Sequence, residues 1–253
     1  MEPALHATCG MYNLGVQPGL WKIAEPVNFT LGIRPAMPEY KDIVSILATL
    51  VASFAGAWGA FLLENERRMR EVEDRNIGAA NRAIYTLFNL WNILEQYRKE
   101  TLEPCRGKSD AWLNLAAQPT IPTGEHTFQA NELQFLLQSS KAEVYSGLML
   151  EEQRFAIAID LIRARSAIVL DEVFPKMSAA KIPVGKALPE AEVEEVLGIG
   201  LTHKLKKITT AIFRNVDEDI VSLKEQYGQI QEAMKQLYPS RKVLEIIFEV
   251  PKQ

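Results

Sequence analysis

Cysteine and histidine are scarce in this sequence, with 2 cysteines and 3 histidines among 253 residues. Two cysteines, Cys9 and Cys105, are too few for a disulfide-stapled scaffold. The histidines, His6, His126 and His203, lie in separate segments, so no cluster of metal ligands is visible. The sequence therefore predicts neither a metal site nor any other cofactor.

A large excess of charge of one sign is also missing. The formal net charge is −4, from 28 Lys and Arg against 32 Asp and Glu, whereas nucleic-acid-binding domains are usually basic. The P-loop, dinucleotide-binding, zinc-protease and C-x-x-C motifs are all absent. Adjacent carboxylates such as Glu151 and Glu152 point about 100° apart on a helix and do not converge for acid–base chemistry. These absences predict a protein that binds no nucleic acid and is not an enzyme.

What the sequence does contain is one long apolar run. Residues 43–63 read IVSILATLVASFAGAWGAFLL, without a charge, proline, asparagine or glutamine. As a helix this run would be ~31 Å long, close to the ~30 Å hydrocarbon thickness of a bilayer. A buried core helix normally keeps a polar face, and here the polar side chains are limited to Ser45, Thr49 and Ser53. The run therefore predicts a transmembrane helix.

The basic residues beside this run predict its orientation, because cytoplasmic flanks carry an excess of Lys and Arg. Arg67, Arg68 and Arg70 follow the run closely, whereas Arg34 and Lys41 precede it among acidic residues. We expect the N-terminus outside and the C-terminal domain in the cytoplasm. The predicted division is a tail over residues 1–42, external or loosely ordered, a span over 43–63 and a helical domain over 64–253.

Two alternatives concern the N-terminus. Ala55-Gly56-Ala57 would fit a signal-peptide cleavage site that leaves Trp58 as the first residue, although no basic region precedes the apolar run. Residues 1–36 contain four prolines and no targeting pattern. They are either a real external tail or the product of a start upstream of Met37.

Small residues recur every fourth position of the run. Ala48, Ala52, Gly56 and Ala60 would share one helix face. Such faces let membrane helices approach closely, so this face is the predicted surface for packing between membrane helices.

Three apolar stripes at heptad spacing follow the run and predict three long helices. The first helix continues the span through a charged stalk (residues 64–75), the second covers 141–174 and ends at Pro175, and the third covers 189–238 with a bend near Gly198 and Gly200. The stripes are Ile77, Ala80, Ile84, Leu87, Trp91 and Leu94; Phe155, Ile159, Ile162, Ser166, Val169 and Val173; and Leu205, Ile208, Ile212, Val216, Ile220, Leu223, Tyr227, Ile230, Met234 and Leu237. We expect an all-α fold in which they form an up-down-up three-helix bundle.

The segments between and after these helices carry weaker patterns. Residues 104–128 read as a loop whose apolar residues, Trp112, Leu113 and Leu115, pack against the helices, and a short helix is predicted over 131–138. Residues 241–250 have no helical face and predict a strand or an extended tail that docks on the domain.

The stretch FAGAWGAFLLENERRMREVEDRNIGAANRAIYTLFNLWNILEQYRK, with Trp91-Asn92 and the later Trp112-Leu113-Asn114, resembles a group of uncharacterised bacterial single-pass membrane proteins. The similarity extends over about residues 37–175. It implies a bacterial inner-membrane protein with a helical cytoplasmic domain, and it brings no catalytic residue with it.

We therefore predict a membrane-anchored, non-enzymatic interaction or scaffold protein. Its expected partners are the lipid bilayer and either further copies of itself or a cytoplasmic protein. Two alternatives remain open: a membrane-perturbing effector that acts by oligomerisation in stress or phage defence, and an enzyme with an unrecognised site.

Overall fold

A computed structural model describes residues 40–121, 127–182 and 189–248 of the chain. The helices in these ranges are α1 (Tyr40–Tyr97), α2 (Ala111–Asn114), α3 (Gln134–Gln138), α4 (Ala142–Ile168), α5 (Phe174–Ala179), α6 (Glu190–Leu197) and α7 (Ile199–Leu237). Two π-helical turns, Arg98–Leu102 and Val169–Val173, and one 3₁₀ turn, Glu103–Cys105, join them. No strand forms in the described ranges, so the predicted all-α class is confirmed there.

The chain divides into two units, Met1–Ala57 and Trp58–Gln253. In the first unit the described part is residues 40–57, all helical. The predicted tail lies outside the described residues up to position 39, as do Cys9, His6 and His126. The second unit contains the hydrophobic cores.

Helix α1 is 58 residues long and carries the apolar run, the charged stalk and the first stripe in one uninterrupted helix. The large apolar side chains of residues 43–63 are exposed, and an 18-residue window within this helix has no buried residue. A core helix of a soluble domain would be mostly buried. By length and composition α1 is long and apolar enough to cross a membrane.

The three stripes meet in the main hydrophobic core, which is built mainly from α1, α4 and α7, except that Val169, Val173 and Leu205 lie in a second, smaller core. Every member of the first two stripes is buried, and the third is buried except for the half-buried Ile208, Tyr227 and Leu237. Ser166, the single polar member, donates its hydroxyl proton to the carbonyl of Ile162 at 2.8 Å, so the bond back to its own helix that its position predicts is present.

A smaller core lies where α4 ends and α7 begins. Trp112 of α2 packs there with residues from the end of α4, from α6 and from the start of α7, including Val173, Val193 and Leu205. Leu115 is buried in the main core. The prediction that the apolar residues of the 104–128 segment pack against the helices is therefore confirmed for Trp112 and Leu115.

Helices α4 and α7 run antiparallel. Lys141, just before α4, donates a hydrogen bond to Gln236 near the end of α7, whereas Arg165 near the end of α4 bonds to Thr209 in the first third of α7. As the residue number increases along α4, the number of the contacting residue on α7 therefore decreases.

Helix α1 also runs antiparallel to α7. Asn76 of α1 donates to the hydroxyl of Tyr238 at 2.8 Å, and further along α1 the ring of Trp91 lies 5.0 Å from the ammonium of Lys224. Since both α1 and α4 oppose α7, they point the same way.

The predicted up-down-up order is therefore wrong, and the contacts give an up-up-down order. The reason is the segment after α1, which returns along the domain before α4 begins. Arg106, early in this segment, pairs with Asp217, while Glu132, late in it, pairs with Arg82 near the start of the buried part of α1. Because this segment is long and buries its own apolar residues, it acts as a crossover connection.

Pro175 does not end the second long helix, contrary to the prediction. Helical structure continues through the π-helical turn Val169–Val173 into α5, with Pro175 in the first turn of α5. Proline lacks an N–H and clashes with the carbonyl four residues earlier, and the wider π turn accommodates both effects. Pro104 follows the π turn Arg98–Leu102 in the same way.

The third long segment is two helices instead of one bent helix. Gly198 separates α6 from α7 with φ of +84°, a conformation that favours glycine. After α7, residues 242–248 form neither a helix nor a strand. Val243, Ile246 and Phe248 pack against the main core, so the predicted docked tail is confirmed over the described residues.

Candidate functional site

The predicted packing residues of the membrane helix lie on an open surface. Ala48, Ala52, Gly56 and Ala60 are all exposed on α1. A Cβ atom added at Gly56 would meet no heavy atom of the described structure within 4 Å. Among the described residues nothing covers this face, and its role in packing against another helix stays a prediction.

The predicted orientation residues Arg67, Arg68 and Arg70 are exposed, and each pairs with a glutamate four positions away on α1. The pairs are Arg67 Nε–Glu71 Oε1 at 2.9 Å, Arg68 Nε–Glu64 Oε1 at 3.0 Å and Arg70 Nη2–Glu66 Oε1 at 2.5 Å. Exposed pairs of this kind contribute ~0.3–0.5 kcal/mol each to a helix. They support a helical stalk over these residues, and the predicted orientation does not depend on them because acidic residues contribute little to it.

A first buried polar group lies between α4 and α7. Glu151 of α4 is 3% exposed and accepts hydrogen bonds from Ser222 Oγ at 2.5 Å and from Arg154 Nη1 at 3.0 Å. Asp219 of α7, 5% exposed, lies close enough for the two carboxylates to interact electrostatically. Glu151 Oε2 and Asp219 Oδ2 are both buried without a hydrogen-bond partner.

This arrangement disfavours the ionised form of Asp219. Burial raises the pKa of Asp219 from 3.8 to about 6, the negative charge of Glu151 acts in the same direction, and Arg154 opposes it. Near neutral pH a fraction of the molecules therefore keeps a proton on this carboxyl group.

A second buried polar group surrounds Arg165 of α4, which is 1% exposed. Its Nε donates to Thr209 Oγ1 at 3.0 Å and its Nη2 donates to the carbonyl of Trp112 at 3.1 Å. Burial lowers the pKa of this guanidinium, while the nearby Tyr97 and Cys105 act in the opposite direction. Burial also raises the pKa of the Tyr97 hydroxyl to about 12, against the effect of Arg165.

A third polar contact joins the same two helices at Gly147. The amide of Gln226 reaches across from α7 and donates to the carbonyl of Val144 at 3.0 Å. The missing side chain of Gly147 leaves the space that this amide occupies. Three polar layers thus interrupt the apolar contact between α4 and α7: the Glu151, Arg165 and Gln226 layers.

The sequence does not predict these layers, because comparing adjacent residues gives no information about partners on another helix. The prediction that Glu151 and Glu152 diverge is confirmed, since Glu152 accepts a hydrogen bond from the backbone N–H of Phe128. The relevant partner of Glu151 is on another helix. A second heptad series that includes polar and charged residues runs along each helix, and all of its members are buried. This series could have predicted the layers from the sequence. Its members are Glu151, Phe155, Ala158, Ile162, Arg165 and Val169 on α4 and the turn after it, and Leu205, Thr209, Ile212, Val216, Asp219, Leu223, Gln226 and Ile230 on α7.

Two lysines near the start of α7 are held in ion pairs. Lys204 pairs with Glu172, and Lys206 pairs with Glu190 and Glu194. In the ranges that the structure describes, no group of three or more His, Cys, Asp or Glu side chains could hold a metal ion.

The chain matches no protein-family model, and neither a curated protein nor a solved structure matches it.

Proposed function

We propose that this chain is a single-pass membrane protein whose helical domain acts through contacts with other proteins. The observation that carries this proposal is the exposure of the apolar side chains of residues 43–63, which in water would be unfavourable. Ten of these residues are Leu, Ile, Val or Phe, each favouring insertion by ~0.3–0.6 kcal/mol at the centre of a helix.

The hydroxyl groups in this run are compatible with a lipid environment. Thr49 Oγ1 donates to the carbonyl of Ser45 at 2.9 Å, and Ser53 Oγ donates to the carbonyl of Thr49 at 2.8 Å. A polar group in hydrocarbon needs a partner within the protein. These bonds supply one without a neighbouring helix.

The orientation that we propose has the N-terminus outside and the helical domain in the cytoplasm of a bacterial cell, at the inner membrane. The support is the positive charge of Arg67, Arg68 and Arg70 directly after the run. A fusion to the C-terminus tests it: green fluorescent protein should fluoresce and alkaline phosphatase should stay inactive. The opposite pattern would refute the orientation.

The anchor itself is tested by mass. Protein extracted from membranes should have the intact mass of a chain that retains residues 43–63. A mature N-terminus at Trp58 would mean that the run is a cleaved signal peptide and would overturn the proposal.

The interaction role rests on the open face formed by Ala48, Ala52, Gly56 and Ala60. We propose that copies of the chain associate along it as coiled membrane helices. Crosslinking in membranes should give oligomers that Gly56→Leu weakens. Ala57→Leu is the matched control, since Ala57 is rotated by about 100° from Gly56. Equal crosslinking in both variants would remove this face from the interface.

The same face favours a second candidate function, a membrane-perturbing effector that acts by clustering its spans. Overexpression of the natural chain should then collapse the membrane potential, and Gly56→Leu should restore it. An unchanged potential on overexpression would exclude the effector and leave the scaffold role.

An enzyme with an unrecognised site is less favoured, because Glu151 and Asp219 are too deeply buried to meet a substrate.

A further inference from the structure

Arg165 is a buried charge without a counter-charge. Its two described hydrogen bonds end on neutral oxygens, those of Thr209 and Trp112. The other deeply buried charged residue on α4, Glu151, is paired with Arg154, whereas no carboxylate among the described residues pairs with Arg165. An unpaired buried charge costs several kcal/mol, so an anion nearby would be strongly stabilising.

A cavity of about 620 Å³ is lined by the residues to which Arg165 donates, although Arg165 itself does not line it. Thr209 and Trp112, the two residues that accept the hydrogen bonds of Arg165, are part of its wall. Cys105 also lines it. This volume falls within the range of cavities that hold small organic ligands, about 300–1,000 Å³.

The cavity wall is rich in cations. Arg106, Lys108 and Lys206 line it, against a single acid, Glu190. Aromatic rings help to fix two of these cations. The guanidinium carbon of Arg106 lies 5.4 Å from the ring centroid of Phe213, and the ammonium of Lys206 lies 5.2 Å from that of Trp112.

Carboxylates hold the same two cations from other sides. These partners are Glu103 and Asp217 for Arg106, and Glu190 and Glu194 for Lys206. Among the described residues no carboxylate pairs with Lys108, which follows Gly107 in a turn with φ of +76°. Lys108 and Arg165 are therefore the cations around the cavity whose charge is uncompensated.

We propose that this cavity binds a small, water-soluble phosphate compound. Lys108 and the hydroxyl groups of Ser109 and Thr209 would contact the phosphate oxygens, and the field of Arg165 would favour the anion from behind Thr209. A phosphate carries more charge and more acceptor oxygens than a carboxylate. It can therefore contact cationic side chains from both the turn and α7 at once.

The source of the phosphate is the aqueous phase and not a lipid headgroup. From Leu63 to Tyr97, α1 rises ~51 Å at about 1.5 Å per residue, and the cavity lies beyond that end, beside Cys105. This step rests on the proposed membrane span. Phosphate binding itself does not, so the two proposals fail separately.

The test is calorimetric titration of the full chain in detergent micelles with pyrophosphate, and with acetate as the comparison anion. We expect saturable binding of pyrophosphate at least tenfold tighter than that of acetate. Lys108→Glu should weaken it by tenfold or more without unfolding the domain, because this side chain is exposed. Lys207→Glu is the control, since Lys207 carries the same charge on α7 but does not line the cavity.

Cys105 gives a second readout. In a Cys9→Ser background it is the one remaining thiol, and pyrophosphate should slow its alkylation in proportion to occupancy. No saturable binding, equal affinity for acetate, or equal loss in Lys108→Glu and Lys207→Glu would each overturn the proposal. Displacement of pyrophosphate by phosphatidic acid added to the micelles, but not by phosphatidylcholine, would also overturn it.

Discussion

Replacing Gly147 with alanine should destabilise the domain, although the same change is stabilising at most helical positions. An added Cβ would lie 2.8 Å from Gln226 Cδ and 2.9 Å from Gln226 Nε2, and closer still to Oε1. Gln226 is 5% exposed and donates to the carbonyl of Val144. The amide must therefore move out of a buried position and lose its hydrogen bond.

The magnitude follows from two opposing effects. Replacing glycine by alanine within a helix gains about 1 kcal/mol. Leaving a buried amide without its partner costs about 1–3 kcal/mol. We expect Gly147→Ala to lower the free energy of unfolding by about 1 kcal/mol as the sum of the two.

The double variant isolates the contact. In a Gln226→Ala background nothing opposes the new methyl group, so adding Gly147→Ala should raise the free energy of unfolding by about 1 kcal/mol. The sign of the effect should thus reverse, with a coupling of about 2 kcal/mol between the two positions.

The assay is urea unfolding of the full chain in detergent micelles, followed by tryptophan fluorescence. Trp91 and Trp112 are both buried in the helical domain and report on its core. Gly228→Ala is the matched control, because a Cβ there would meet nothing within 4 Å, and it should stabilise by about 1 kcal/mol. If Gly147→Ala stabilised both backgrounds equally, the reasoning would be refuted.

Other substitutions test further contacts. The pKa of Asp219 rises from 3.8 to about 6 on folding, so the free energy of unfolding should fall by at most about 3 kcal/mol as the pH rises from about 4 to 7. Urea titrations of Asp219→Asn should show a smaller dependence of this free energy on pH, and an equal dependence in both proteins would contradict the assignment. Phe248→Ala should release the tail, which contacts three aromatic rings at 4.7–5.8 Å, and speed amide hydrogen exchange in residues 244–246, whereas Ile247→Ala, 76% exposed, should not. Ser166→Ala should lower the free energy of unfolding in urea by about 1–2 kcal/mol, because a backbone N–H of the connecting segment loses its hydrogen-bond acceptor. Ser146 makes the same bond back to α4 but is exposed, so Ser146→Ala should leave this free energy nearly unchanged.

Periodicity alone predicts most of the helical structure, because burial of an apolar face is a local property of the sequence. The first two stripes were read directly from heptad spacing, and all their members are buried. The sequence predicts a bend near Gly198 for an equally local reason, the absence of a side chain, whereas the structure ends one helix there and begins another.

The order of the helices was not predictable in this way. Spacing reports which face of a helix is buried, and an apolar face fits its neighbour in either direction. The crossover is recorded by pairs such as Arg106–Asp217 and Arg82–Glu132, which join residues 111 and 50 positions apart. Nothing in the local pattern distinguishes these arginines from the other exposed ones.

The position of Pro175 shows a different limit. A proline after a long helical pattern usually marks its end. Here the π-helical turn Val169–Val173 absorbs the missing hydrogen bond, and its residues, Val-Leu-Asp-Glu-Val, carry no distinctive mark in the sequence.

The cavity beside Arg165 escaped detection because its wall is assembled from separate segments. Gly107-Lys108-Ser109 falls within the loop that the sequence predicts over residues 104–128, whereas Lys206 falls within the third predicted helix. Their meeting depends on the loop after α1 packing against the first third of α7.

The polar layers between α4 and α7 also bear on how such a chain avoids its own copies. In the proposed membrane-anchored state, copies of the chain would be concentrated in two dimensions, where identical apolar stripes of neighbouring molecules compete for the same partners. A pairing shifted by one heptad would still match leucine with valine, but it would set Arg165 against Val216 and Gln226 against Phe155. Each mismatch leaves a buried polar group without a hydrogen-bond partner, which costs about 1–3 kcal/mol of stability. The layers thus favour the correct register of α4 against α7 over a shifted one, and this preference would matter most at the high local concentration of the proposed membrane-anchored state.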